Sequence, residues 1–143
     1  MMIRQMQQED LQKVSDLENA CFSMPWLYHD FETALQKDYY IFIVAEENGE
    51  IIGQAGLIQS LDEADLTNVA VAKAYRNQKI ASQMLEYLLP LGFAKGIRAF
   101  TLEVRESNTA ALALYEKFGF VKEGIRKDFY DKPKENAVIM WKR

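Results

Sequence analysis

Apolar side chains recur at helical spacing at Leu11, Val14, Leu17 and Cys21 between charged neighbours, which predicts an amphipathic helix over residues 9–20. A second stripe, Tyr28, Phe31 and Leu35, follows Pro25, with residues 21–26 as the connection. The period then changes. Residues 40–46 are rich in β-branched and aromatic side chains, Asn48 and Gly49 form a hairpin turn pair, and residues 51–59 resume as strand. The acidic stretch 61–64, with Asp62 and Glu63, turns the chain into a third strand over 65–72. After a polar, basic linker at 73–79, Ile80, Met84, Leu85, Leu88 and Leu91 mark a third helix, in which Pro90 removes the bond to Glu86 and predicts a kink or early end. Over residues 98–105, Phe100, Leu102 and Val104 alternate with Thr101, Glu103 and Arg105, a strand with one apolar and one polar face. Strand, helix, strand implies a parallel pair, so the sheet is mixed. Asn108 caps a helix over 109–118 that Gly119 ends, and strands 120–125 and 137–141, joined through Asp131, Lys132 and Pro133, complete an α/β fold.

Composition narrows this to one domain spanning residues 1–143. The 143 residues are 49% hydrophobic and 27% charged, with seven Gly and three Pro, enough for a single core and unlike a disordered chain. Apolar runs such as 41–45 and 84–91 fall short of the roughly 18 residues of a membrane span, and the N-terminus shows no signal-peptide stretch. A cytoplasmic protein without membrane contact is expected. Cys21, the single cysteine, excludes an internal disulfide and reads as a small buried hydrophobe. His29, the single histidine, reads as a helix-surface residue, and the pair is too few for a metal site. The net charge of -4 disfavours nucleic acid and favours basic partners.

Three features suggest chemistry. The loop 76–81 leads from strand to helix, where unpaired N–H groups and the helix dipole favour an anion, and Arg76 and Lys79 add positive charge. It is not a Walker loop, so the run Asp62, Glu63, Ala64, Asp65 carries no helicase implication. Glu103 stands on the polar face of its strand, and Tyr115 on a core-facing helix stripe. Taken singly, these read as a solvated loop, a surface carboxylate and a packed tyrosine.

In one run they acquire a different meaning. Residues 102–108 (Leu102, Glu103, Val104, Arg105, Glu106, Ser107, Asn108), then Ala110 and Ala111, then Leu114 to Phe120, resemble the second half of the GNAT family of N-acetyltransferases. Phe22 to Trp26, Asn68 to Val71, Arg126 to Tyr130 and Asn136 to Met140 extend the likeness, more narrowly to the bacterial ribosomal-protein alanine N-acetyltransferases. The resemblance implies the acyl-coenzyme A N-acyltransferase fold, a mixed central sheet with helices on both faces. It implies acetyl-coenzyme A as co-substrate and a protein N-terminal amine, that of a ribosomal protein, as acceptor. Val69, Ala70 and Val71 would offer backbone groups to the pantetheine arm. Arg76, Asn77, Gln78, Lys79, Ile80, Ala81 and Ser82 would cradle the pyrophosphate, with Asn108 further along. Glu103 matches the family's general base and Tyr115 its general acid. The acceptor would enter between residues 21–26 and 126–134, with Trp26 and Tyr130 packing on it and Asp62 or Glu63 attracting a basic chain; Trp26 reads equally as a core anchor. A small amine or lysine acceptor, or a non-catalytic coenzyme A-binding module, remains open. The phosphate loop departs from the family's Gln/Arg-x-x-Gly-x-Gly/Ala at Lys79, where a positive φ would cost about 1 kcal/mol.

Overall fold

Asn48 and Gly49 take φ of 50° and 81°, the left-handed pair whose twist suits a two-residue hairpin. They join the two longest neighbouring strands of the sheet. In the computed structural model, which describes residues 1–143, the elements run β1 (Met2–Gln5), α1 (Leu11–Cys21), α2 (Tyr28–Leu35), β2 (Tyr40–Glu47), β3 (Glu50–Ser60), β4 (Glu63–Leu66), β5 (Ala70–Val71), α3 (Ile80–Ala94), β6 (Ala99–Arg105), α4 (Thr109–Lys117), β7 (Val121–Tyr130) and β8 (Glu135–Lys142). The strand order is β1-β2-β3-β4-β6-β8-β7, with β5 attached to β3. All pairs are antiparallel except β4 with β6, so the sheet is mixed as expected.

Alternation along β2 feeds two hydrophobic clusters. Ile41, Ile43 and Ala45 join the larger one with Met84, Leu85 and Leu88 of α3 and Leu112 and Tyr115 of α4. Phe42 and Val44 join the smaller one with Leu11 and Val14 of α1 and Phe31 and Ala34 of α2. Helices therefore cover both faces, which explains why β2 is an almost continuous apolar run. No helix is long and apolar enough to cross a membrane.

Several expectations are corrected. β1 forms where the sequence shows only a short polar start, because Met2 to Gln5 pair with Glu46 to Ile43. The strand expected over 65–72 is two pieces, β4 and β5, with a break at residues 67–69. Pro90 neither ends nor shortens α3, which continues to Ala94. Pro90 and Glu86 both lie on the exposed side, where water can satisfy the carbonyl that loses its donor. Cys21 is only partly buried.

Candidate active site

The break between β4 and β5 builds the site. β4 runs beside β6 only from Glu63 to Asp65, opposite Ala99 to Thr101. The Thr67 backbone N–H and hydroxyl then both donate to the Gly56 carbonyl, at 2.9 and 3.1 Å, and draw the chain towards β3, where β5 pairs with Gly53 and Gln54. From Leu102 onward β6 keeps only β8 as a partner. A cleft opens where the two strands diverge.

One side of the cleft is a cavity of about 490 Å³. Val69, Ala70 and Val71 form one wall, Arg76, Asn77, Lys79, Ile80, Ala81 and Ser82 its mouth, and Asn108, Ala111 and Leu114 the facing wall. Gln78 is the one expected cofactor residue that does not line it. The first-turn N–H groups of α3 are those that lack intrahelical acceptors and favour an anion. Lys79 holds φ 64° at the position before α3, the left-handed conformation that a glycine adopts without strain, and Asn77 holds φ 64° as well. The Arg76 guanidinium turns back to donate to the Val71 carbonyl at 3.1 Å, which the Cys21 thiol also approaches at 3.5 Å. Asn108 accepts from the Ala111 N–H at 3.1 Å, so it caps α4 while lining the cleft. The size, the positive mouth and the apolar facing wall fit a nucleotide carrying a long thioester arm.

The other side is a chamber of about 350 Å³ that holds Glu103, Tyr115, Tyr130 and Asn68. It shares Cys21, Phe22, Val69, Asn108 and Ala111 with the first cavity, so the two run together. Burial pushes the Tyr115 phenol far up, with Tyr130 adding to it, and the group keeps its proton throughout the physiological range. Burial, then the charge of Glu103, raise Tyr130 to about 12 against the opposing Arg105. Glu103 is partly exposed, with the Arg126 guanidinium 4.0 Å away.

Arg105 fastens the rim of the chamber. Its guanidinium donates to the carbonyls of Asp131 and Pro133, both at 2.9 Å, and to the Glu135 carboxylate at 3.1 Å. It lies 4.5 Å from the centre of the Tyr130 ring and reaches Ser23 Oγ at 3.5 Å. The turn after β7 is thus tied across to the α1–α2 connection, where Asp131 N–H also meets Met24 Sδ at 3.3 Å.

Two expected acceptor residues fall elsewhere. Trp26 packs on Phe31 and Phe42 at ring separations of 5.2 and 5.6 Å and does not line the chamber, because the aromatic cluster under α2 takes its ring. Glu63 lies on the sheet face that α1 and α2 leave open, in a groove of about 650 Å³ that also includes Asp65, Arg126 and Glu103. Sequence reading missed Arg105 and a buried set around Glu18. Glu18 had a visible signal, since it continues the apolar series Leu11, Val14, Glu18, Cys21 with a carboxylate.

Comparison with known proteins agrees with this geometry. Residues 11–120 match the acetyltransferase (GNAT) family. The chain is 36% identical, over 97% of its length and 93% of the relative's, to a putative [ribosomal protein bS18]-alanine N-acetyltransferase of Bacillus subtilis (strain 168). It is 34% identical, over 96% of its length and 94% of the relative's, to the [ribosomal protein bS18]-alanine N-acetyltransferase of Escherichia coli (strain K12). The crystal structure of the ribosomal-protein-S18-alanine N-acetyltransferase from Escherichia coli superimposes with a TM-score of 0.91 at 33% identity, covering 99% of this chain and 92% of that one. A GNAT family acetyltransferase from Elizabethkingia anophelis with acetyl-CoA bound shares the fold, with a TM-score of 0.82 at 22% identity over 99% and 97% of the two chains.

Proposed function

The chain belongs to the acetyltransferase (GNAT) family and is an acetyl-coenzyme A-dependent N-acetyltransferase, and from that membership we propose that it acetylates the N-terminal alanine of a ribosomal protein. The observation that carries this reading is the continuous cleft, with Glu103 and Tyr115 in one chamber and the basic start of α3 at the far mouth. The names and near-complete coverage of the relatives support the choice of acceptor.

The chemistry follows from the two side chains. An α-amine with a pKa of about 7.7 to 8.0 is partly neutral at physiological pH, so a moderate base suffices. Glu103 takes the proton as the amine nitrogen bonds to the acetyl carbon. Backbone N–H groups near Val71 steady the negative oxygen. Tyr115 gives its proton to the sulfur as the carbon–sulfur bond breaks. Val69 to Val71 orient the thioester arm, and residues 77–82 hold the phosphates, with Arg76 adding positive charge nearby.

Thiol release from acetyl-coenzyme A is measured with a peptide beginning at a ribosomal protein's N-terminal alanine, beside the same peptide N-terminally blocked and a lysine peptide. Turnover with the free N-terminus alone is expected. Glu103→Gln and Tyr115→Phe should each lower kcat about 10²- to 10⁴-fold with little change in cofactor affinity. Preference for the lysine peptide, or unchanged rates in both variants, would refute the assignment.

A further inference from the structure

Glu18 of α1 is 1% exposed and plays no part in the chemistry above. Its carboxylate collects three donors from three places. Oε2 accepts from Gln54 Nε2 of β3 at 2.7 Å, while Oε1 accepts from the Trp26 backbone N–H and from Asn68 Nδ2, both at 3.4 Å. Gln54 Nε2 also reaches the Asn68 carbonyl at 3.5 Å. Asn68 lines the reaction chamber and leads directly into Val69. Trp26 closes the connection whose earlier residues, Phe22 to Met24, line the opposite wall. A single buried carboxylate therefore joins both walls.

We propose that Glu18 is a positioning residue for the acceptor, holding the Trp26 end of the α1–α2 connection and the Asn68 segment at a fixed separation and so setting the width of the chamber around Glu103 and Tyr115. This rests on the chamber being the acceptor site. Burial raises the Glu18 carboxyl above the ordinary range, a cost that an apolar side chain on the same stripe would avoid. Gln54 Oε1 is buried without a donor. If Glu18 were glutamine, its oxygen would keep the Trp26 and Asn68 donors and a turn of the Gln54 amide would present Gln54 Oε1 to the new Nε2, at the expense of the 3.5 Å contact of Gln54 with the Asn68 carbonyl. Charge is thus dispensable to the role, and hydrogen bonding is not.

The test compares Glu18→Leu with Glu18→Gln in the full chain, using peptide and acetyl-coenzyme A kinetics and amide hydrogen exchange. Glu18→Leu should raise the acceptor KM about tenfold or more, with the acetyl-coenzyme A KM changed less than about threefold, and Glu18→Gln should restore the acceptor KM to within about threefold. Exchange should quicken over residues 22–27 in Glu18→Leu and stay unchanged over 80–94. If Glu18→Leu does not fold, Gln54→Met removes the 2.7 Å donor and should give the same split. A folded variant with unchanged acceptor KM, or a parallel change in both KM values, would overturn the proposal. A wild type inactive on every N-terminal peptide would instead overturn the acceptor reading, and the exchange pattern would still decide the role of Glu18.

Discussion

Replacing Arg105 with Met keeps an extended apolar stem and deletes the guanidinium that closes the chamber rim. Two hydrogen bonds at 2.9 Å to the Asp131 and Pro133 carbonyls are lost, together with the contact at 4.5 Å to the Tyr130 ring. The side chain is 23% exposed, so each bond is credited with about 1 kcal/mol and the ring contact with about 0.5–1 kcal/mol. The closed position of residues 131–134 then loses on the order of 2–3 kcal/mol, roughly a 30- to 150-fold change in its equilibrium against open positions. Since the turn after β7 borders only the chamber side of the cleft, the penalty should fall on the acceptor. Steady-state kinetics should show an acceptor KM raised about 10- to 100-fold with the acetyl-coenzyme A KM nearly unchanged. Hydrogen exchange should show lost protection over residues 131–135. Full protection there with wild-type acceptor KM would refute the assignment of the rim to Arg105.

Gly56→Ala places a Cβ 2.2 and 2.3 Å from two Phe42 ring atoms, an overlap expected to cost about 1–3 kcal/mol and to lower Tm by roughly 3–10 °C; calorimetry reads it, and Phe42→Leu should recover part of the loss. At the left-handed position of Lys79, Lys79→Gly should be about 1 kcal/mol more stable than Lys79→Ala, and equal urea midpoints would exclude strain there. Because burial raises the folded Glu18 carboxyl, the native state holds that proton more tightly than the unfolded chain. The resulting stability is complete below the ordinary carboxylate range and is lost as pH rises towards the folded value. Glu18→Gln is free of this loss, so its stability relative to wild type should grow as pH rises above about 4; a gap in urea midpoints that shrinks instead would refute it.

The sequence reads well wherever local chemistry decides structure. Asn48–Gly49 marks its hairpin and Asn108 its helix start because the same few residues that carry the signal also make the bonds. β1 is illegible for the opposite reason, since its partner strand lies some 40 residues away and its own residues are too few and too polar to show a period. The division between β4 and β5 escapes too, because it depends on Thr67 finding the Gly56 carbonyl across the sheet. At the site, the Leu102 to Asn108 run is compact enough to carry its likeness in sequence. Arg105 was visible there as a residue of the polar face, but its partners lie 26 to 30 positions further on. Trp26 reads two ways in sequence because its neighbours in space, Phe31 and Phe42, are set by the packing of α2 on β2.

The cleft has walls of two kinds. The mouth at α3 is framed by β5, the short segment 76–79 and two helix starts, whereas residues 22–24 and 132–133 of the chamber belong to connections outside the strand ladders. Substitution, lengthening or exchange of those connections leaves the backbone pairing of the sheet untouched. On the proposed reading, donor use is tied to the framework while acceptor preference resides in replaceable segments. Descendants of such a scaffold can therefore change clientele without relearning the chemistry.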